Sequence, residues 1–356
     1  MDYDQLLEKQ PFGIDQRTKE VWYCEMLGKL TKEHKQRCEK YQYFLEAFNQ
    51  KETYQTIEDI PMLPVGLFKR QELKSIKEEE IFKVITSSGT SSQKVSKIFL
   101  DQKNAADQQR TLAKIMEEVI GKKRIPMLIM DSPDVLKDRK MFSARGAGIL
   151  GFSILSSRRQ FAFDQNMNLD IEGMKSFLEK YKEGPVLIFG FTYMIWEYFY
   201  KALKKSRQQI DLSRGILIHG GGWKKMQNEA VSPARYKEGI RKVSGIQKIY
   251  DYYGMAEQTG CIYLECDCGH LHASTFSDIL IRDMKDFSVC EVGKEGCIEV
   301  ISPAATAYPG HAILTEDQGI LLGVDDCPCG RKGKYFKVTG RMKHAEIRGC
   351  SDTYGV

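Results

Sequence analysis

Short runs of Val, Ile and Leu alternate with amphipathic stretches along the middle of the chain: IFKVI at 81–85, IPMLIM at 125–130, PVLIFG at 185–190, GILIHGG at 215–221 and QKIYDYYG at 247–254. Apolar runs of this length separated by helical stretches predict a parallel sheet with crossover helices. One helix is well marked between two of the runs. Asp170 is placed to cap it, Ile171, Met174, Phe177, Leu178 and Tyr181 form one apolar face, and Gly184 and Pro185 stop it. Before these runs, residues 18–48 repeat aromatic and leucine positions at helical spacing, and Pro61 and Pro64 end that region. After Gly260 the pattern shortens to SDILIRD, GCIEVIS and GILLGV separated by turns, which predicts an antiparallel β subdomain. The expected organisation is a helical N-terminal region at 1–60, an α/β core at 61–260, a β-rich subdomain at 261–340 and a short tail at 341–356.

Composition narrows the class. The chain has 356 residues, 42% hydrophobic and 28% charged, a balance that excludes collagen-like, disordered and disulfide-dense proteins. The longest apolar stretch, residues 186–196, is shorter than the about 18 residues that cross a bilayer. The N-terminal MDYDQLLEKQ has charges where a signal peptide needs an apolar run, so the expected location is the cytoplasm. Lys and Arg number 53 against 48 Asp and Glu, with the excess dispersed, so nucleic acid is not an expected partner.

Four segments carry candidate chemistry. Thr86, Ser87, Ser88, Gly89 and Thr90 follow an apolar run and gather hydroxyls and backbone amides around a glycine, donors suited to a phosphate. No Gly-Lys-Ser/Thr follows, so the segment is not a P-loop. Gly220, Gly221 and Gly222 would let backbone approach a flat ligand. Tyr253, Gly254 and Glu257 present one carboxylate among aromatics, an oxygen ligand suited to Mg²⁺. Asp317 is an acid suited to sugar hydroxyls, and Arg341 a cation suited to a phosphate or ribose. Taken singly, each is also an ordinary turn residue.

In this order, the four segments resemble the adenylate-forming superfamily of acyl-CoA synthetases and adenylation domains, over about residues 82–350. The resemblance implies the fold of that superfamily's large domain, α/β with a smaller β-rich part. It implies that the hydroxyl loop holds the ATP phosphates, the glycine turn stacks on adenine, Glu257 binds Mg²⁺, and Asp317 with Arg341 holds the ribose. Tyr308-Pro309-Gly310-His311 with ILTED, then Asp326 to Phe336, then Ala345 to Asp352, are similar to the LuxE-type acyl-protein synthetases, subunits of a bacterial fatty-acid reductase complex. That resemblance implies activation of a fatty acid as acyl-adenylate, transfer of the acyl group to Cys350, and delivery to a partner acyl reductase. Arg348 would lower the Cys350 pKa. Phe191, Trp196 and Phe199 are candidate walls for the acyl chain, with His219 nearby.

The chain departs from the superfamily at Ser92-Gln93-Lys94-Val95, where Gly-x-Pro-Lys is usual, leaving Lys94 or Lys97 as substitutes. It also ends at Val356, so the mobile C-terminal domain is expected to be truncated. Two alternatives are an acyl-CoA ligase of the same superfamily and a non-catalytic, zinc-stabilised nucleotide-binding scaffold.

Eight of the ten cysteines lie between Cys261 and Cys350. In a reducing compartment such density points to metal or thiol chemistry rather than disulfides. Cys266-Asp-Cys268-Gly-His270-Leu-His272 and Cys327-Pro-Cys329 offer more donors than the four a structural Zn²⁺ takes, and spacing does not choose among them. A resemblance to the phenylacetate-CoA ligase and F390-synthetase branch implies Cys266, His272, Cys327 and Cys329, with Cys268 in reserve.

Overall fold

The structure is a computed structural model, and it describes residues 1–48, 53–87, 95–136, 144–223 and 228–342. Contacts divide the chain into two compact units, one built from Met1–Ile115 and Gly254–Glu346, the other centred on Met116–Tyr253.

The Met116–Tyr253 unit holds a parallel sheet in the order Ser156–Phe161, Ile125–Ile129, Val186–Phe191, Gly215–Gly220, Lys248–Tyr253. The strands Val186–Phe191 and Gly215–Gly220 are buried at every position, which is why they read as unbroken apolar runs. The helix Ile171–Lys180 starts where Asp170 accepts from the Gly173 amide at 2.9 Å, and it buries Met174 and Phe177. Ile171, Leu178 and Tyr181 pack around the same core. After the central strand, the helical stretch from Thr192 includes a π-helical segment, Ile195–Tyr200, that directs Trp196 into the core. Trp196 stacks on Tyr200 with centroids 4.1 Å apart and on Tyr236 at 5.6 Å. Gly239 permits this, because a Cβ there would lie 3.1 Å from both the Trp196 and Tyr200 rings.

The other unit is antiparallel in its second half. Asp278–Arg282, Glu295–Ile301, Ala312–Val324, Lys334–Arg341, Leu271–His272 and Tyr263–Glu265 lie side by side in that order. The apolar run GILLGV is only the end of a 13-residue strand that begins at Ala312 and carries ILTED within it. Its pairing shifts register at Gln318/Gly319, the site of an irregularity that re-aims the strand. The run at 81–85 does not join the parallel sheet. Lys83–Thr86 pairs antiparallel with Lys97–Leu100 as a separate two-stranded ribbon, and with Lys83 and Val84 exposed and Ile85 buried it is partly solvated.

The N-terminal region is helical, with Gln16–Arg37 and Glu39–Ala47 as its main elements. The longer helix docks through polar residues as well as apolar ones. Lys19 is 1% exposed and its Nζ lies 3.5 Å from the Asp278 carboxylate, which also receives Lys334 at 3.4 Å. Asp325 accepts from the Gln16 amide at 2.9 Å, satisfying a donor at the helix start.

Candidate active site and cysteine–histidine cluster

Asp317 and Arg341 are register partners on neighbouring strands, and Arg341 Nε stands 3.2 Å from Asp317 Oδ1. The Asp317 amide donates to Thr315 Oγ1 at 3.1 Å, and Arg341 Nη2 donates to Glu316 Oε2 at 2.8 Å. Both charged side chains are only partly covered.

Glu257 sits on the short 3-10 turn Ala256–Gln258 in the same unit, and is fully buried. Three long-range bonds fix that turn: Tyr308 Oη donates to the Glu257 carbonyl at 2.7 Å, and Gln258 Nε2 donates to the Gly310 carbonyl at 2.8 Å and to the Val300 carbonyl at 3.2 Å. A carboxylate is an apt Mg²⁺ ligand, since this ion keeps most of its water and needs only one or two protein oxygens.

Of the hydroxyl segment, Thr86 ends its strand and Ser87 is buried, pairing with Ser96 through Ser87 N to Ser96 O at 3.1 Å and Ser96 N to Ser87 Oγ at 2.9 Å. These bonds close the stem of the segment. Ser88, Gly89 and Thr90 lie outside the described residues, as do Lys94, Arg348 and Cys350. Lys97 is paired with Glu72 at 2.9 Å.

In the Met116–Tyr253 unit, the glycine turn leaves the C-terminal end of a parallel strand, the edge where α/β sheets bind ligands. A Cβ at Gly220 would lie 2.6 Å from the Tyr252 ring, and Gly221 and Gly222 have φ of 79° and 60°, left-handed backbone that favours glycine. Tyr253 ends the adjacent strand, and Gly254 follows it. His219 is buried beside the turn, its Nδ1 3.0 Å from Thr192 Oγ1, and burial pushes its pKa down to about 3, with Lys237 acting in the same direction. Phe191, Trp196 and Phe199 belong to the core of this unit.

The cysteines and histidines of the β-rich part converge. Ligand atoms of Cys266, His272, Cys327 and Cys329 all lie within 4.8 Å of one another. Cys266 Sγ and Cys327 Sγ are 4.0 Å apart, and Cys329 Sγ is 3.5 Å from His272 Nε2. A tetrahedral zinc with bonds of about 2.0–2.3 Å has ligand atoms about 3.5–3.8 Å apart, so the donor set fits that ion. Burial pushes the Cys327 thiol up to about 12, reinforced by the neighbouring thiols, so ionised thiolates here need a cation beside them. His270 is a near neighbour, with Nδ1 3.3 Å from Cys327 Sγ, while Cys268 is exposed and stands outside the group.

A model of the acyl-protein synthetase family LuxE matches residues 2–355. The chain belongs to that family. The long-chain-fatty-acid–luciferin-component ligase of Aliivibrio fischeri is 23% identical over 354 residues, covering 92% of this chain and 87% of the relative. The protein of the same name from Vibrio harveyi is 21% identical over 331 residues, covering 87% and 81%. Among solved structures, 2-hydroxyisobutyryl-CoA ligase in its postadenylation state, in complex with 2-HIB-AMP, superposes with a TM-score of 0.71 at 14% identity, over 94% of this chain and 70% of that one. The fold is therefore that of the adenylate-forming ligases, and this acyl-protein synthetase is an enzyme of the ligase class. Among the described residues, no helix is long and apolar enough to cross a membrane.

Three further residues hold the backbone of these candidate groups. Tyr308 and Gln258 hold the turn of Glu257, and Thr315 fixes the backbone of Asp317. Tyr308 and Thr315 lie in the segments Tyr308-Pro309-Gly310-His311 and ILTED already noted in the sequence, and a Cβ at Gly310 would collide with the Tyr308 ring.

Proposed function

We propose that this acyl-protein synthetase activates a long-chain fatty acid with ATP and passes the acyl group to its own Cys350, for delivery to a partner acyl reductase. A carboxylate oxygen of the acid attacks the α-phosphorus, the bond to the β-phosphate oxygen breaks, and pyrophosphate leaves. The Cys350 thiolate then attacks the acyl carbonyl, and AMP leaves as a thioester forms. What carries this reading is the family match over residues 2–355, which runs through Cys350. The name of the two curated relatives supplies the class of acid.

Within the reading, Asp317 accepts from the ribose hydroxyls and Arg341 steadies Asp317 while offering donors of its own. Thr86, Ser87, Ser88, Gly89 and Thr90 supply donors for the phosphates, and Gly220, Gly221 and Gly222 with Tyr253 and Gly254 provide the surface for adenine. Glu257 holds Mg²⁺, which when bound neutralises charge on the departing pyrophosphate. Cys266, His272, Cys327 and Cys329 hold a structural Zn²⁺. Free thiols and dependence on ATP agree with a cytoplasmic enzyme.

Intact mass spectrometry after incubation with MgATP and a panel of carboxylic acids tests the proposal. It expects one acyl adduct per chain, of a long-chain acid, lost on treatment with hydroxylamine. Formation of acyl-coenzyme A with no acyl adduct on the protein would overturn it in favour of a coenzyme A ligase. Absence of acid-dependent pyrophosphate exchange would favour a scaffold.

A further inference from the structure

Two buried imidazoles stack inside the Met1–Ile115 and Gly254–Glu346 unit, and no role in binding or chemistry has been given to either. His34, on the helix Gln16–Arg37, and His311 have ring centroids 5.2 Å apart at 20°, and each is 1% exposed. Their hydrogen bonds define their protonation. His34 Nε2 lies 3.0 Å from the Ala305 carbonyl, an acceptor only, so Nε2 carries the proton and Nδ1 accepts from Ser75 Oγ at 2.7 Å. Thr31 spends its hydroxyl proton on the Leu27 carbonyl at 2.9 Å, so His311 Nε2 donates to Thr31 Oγ1, also at 2.9 Å. Burial keeps both rings neutral, and each ties the N-terminal helix to residues 305–311.

That segment is the one that holds Glu257. Tyr308, fully buried between the two anchoring points Ala305 and His311, donates to the Glu257 carbonyl, and Gly310 accepts from Gln258. The segment has other ties: Ser75 N donates to the Ala307 carbonyl at 2.8 Å, Ser302 N to the His311 carbonyl at 2.9 Å, the Phe68 ring meets Tyr308 edge-on, and the buried Tyr41 ring meets His311 edge-on at 6.0 Å. We propose that His34, His311 and Tyr308 are positioning residues for Glu257, with the N-terminal helix setting the place of this carboxylate through the stacked imidazoles. The inference rests on the reading of Glu257 as the Mg²⁺ ligand.

The physical reason is pre-organisation. A carboxylate on a short 3-10 turn depends on its neighbours for its place, here the Val300 carbonyl of the strand Glu295–Ile301 as well as residues 308–310, and a metal ligand gains affinity when outer partners fix its orientation. Here the outer partners act on the backbone of the turn, and they are held in turn by a helix more than two hundred residues away in sequence.

The test measures ATP binding by calorimetry across a Mg²⁺ series, with no fatty acid present, so no turnover contributes. Tyr308→Phe keeps the ring and removes one bond, and Thr31→Val keeps shape and removes the acceptor of His311. His34→Gln completes the set, with Glu257→Gln as reference. Tyr308→Phe and Thr31→Val should each raise the Mg²⁺ needed for half-saturation by about tenfold, the lower end of the range for outer partners of a metal ligand. Binding of the fatty acid alone should not change. The double variant Tyr308→Phe/Thr31→Val should fall short of the product of the singles, because the two act along one chain of contacts. Unchanged Mg²⁺ dependence in both single variants, with Glu257→Gln impaired, would overturn the positioning role while leaving the metal ligand in place. Unchanged dependence in Glu257→Gln would instead remove Glu257 from the metal, and the inference with it. Equal weakening of ATP at every Mg²⁺ concentration would mean a general structural effect and would also overturn it.

Discussion

Asp317 and Arg341 face each other as paired residues of two antiparallel strands, Nε to Oδ1 at 3.2 Å. A strand pair holds this carboxylate more firmly than a loop would, because the ladder continues from it through Gln318 and Gly340. Asp317→Ala should therefore weaken ATP while leaving the fatty acid untouched, since only the nucleotide has a ribose. Losing hydrogen bonds to a charged group costs about 1.5–3 kcal/mol, or about ten- to a hundredfold in affinity. Calorimetric titration with each ligand separately decides it, and equal losses for both would exclude the ribose role.

The cysteine–histidine cluster should bind one zinc per chain, measured by metal analysis of protein purified without chelators. Its loop, residues 327–334, is tied to distant parts: Arg331 Nη1 donates to the Leu264 and Glu265 carbonyls, and Lys332 N donates to the Phe12 carbonyl at 2.9 Å. Cys327→Ser or chelation should thus lower thermal stability before it alters adenylation. His272→Ala should lose the metal and His270→Ala should keep it, because only His272 shares the four-donor group. A zinc content well below one in the native protein would defeat the assignment.

The parallel sheet and the helix Ile171–Lys180 were legible because burial on both faces writes unbroken apolar runs, and an apolar stripe with an Asp cap writes a helix. The ribbon at Lys83–Thr86 was not, since a short run of that composition fits either a buried strand or a half-exposed one. The docking of the N-terminal helix was also hidden. Lys19, Thr31 and His34 occupy its buried face, and polar residues there read as solvent-facing until Asp278, Leu27 and Ser75 are seen to satisfy them. Motif order pointed to Asp317 and Arg341, but their pairing depends on strand register across the turn that joins them, which no local pattern encodes.

Acid should weaken the fold through His34. Burial, the largest cause, pushes its pKa down to about 4, Arg37 acts in the same direction, and the Ala305 carbonyl opposes them. The unfolded state therefore takes up a proton near the ordinary histidine value of about 6.5 while the native state does not. The contribution is fully present above about pH 6.5 and is lost as pH falls toward 4, a loss of about 3 kcal/mol at most. The stacked neighbour His311 is also held neutral by burial, so it adds to the same limb. Urea unfolding from pH 7.5 to 4.5 should show a shallower decline in His34→Gln than in the native chain. Parallel declines would exclude His34 as a source of the pH dependence.

Cys350 is the proposed acceptor, and the buried thiols Cys261 and Cys297 are poorly suited to the task. Burial pushes Cys261 up to about 11 and Cys297 up to about 12, the latter helped by the nearby Asp317 and Glu299 carboxylates, so neither supplies thiolate near neutral pH. Cys261 is further engaged with Ser302 Oγ at 3.0 Å, and Cys297 Sγ faces the Thr315 carbonyl at 3.1 Å. Cys266, Cys327 and Cys329 belong to the zinc proposal. Cys350→Ser should still form acyl-adenylate, because the phosphorus chemistry is complete before any thiol acts, and acid-dependent pyrophosphate exchange should stay within about twofold of the native rate. The same variant should lose the hydroxylamine-sensitive acyl label and the transfer of label to a reductase. A stoichiometric thioester that persists in Cys350→Ser, located by peptide mapping at Cys261, Cys268 or Cys297, would move the nucleophile elsewhere and end this assignment.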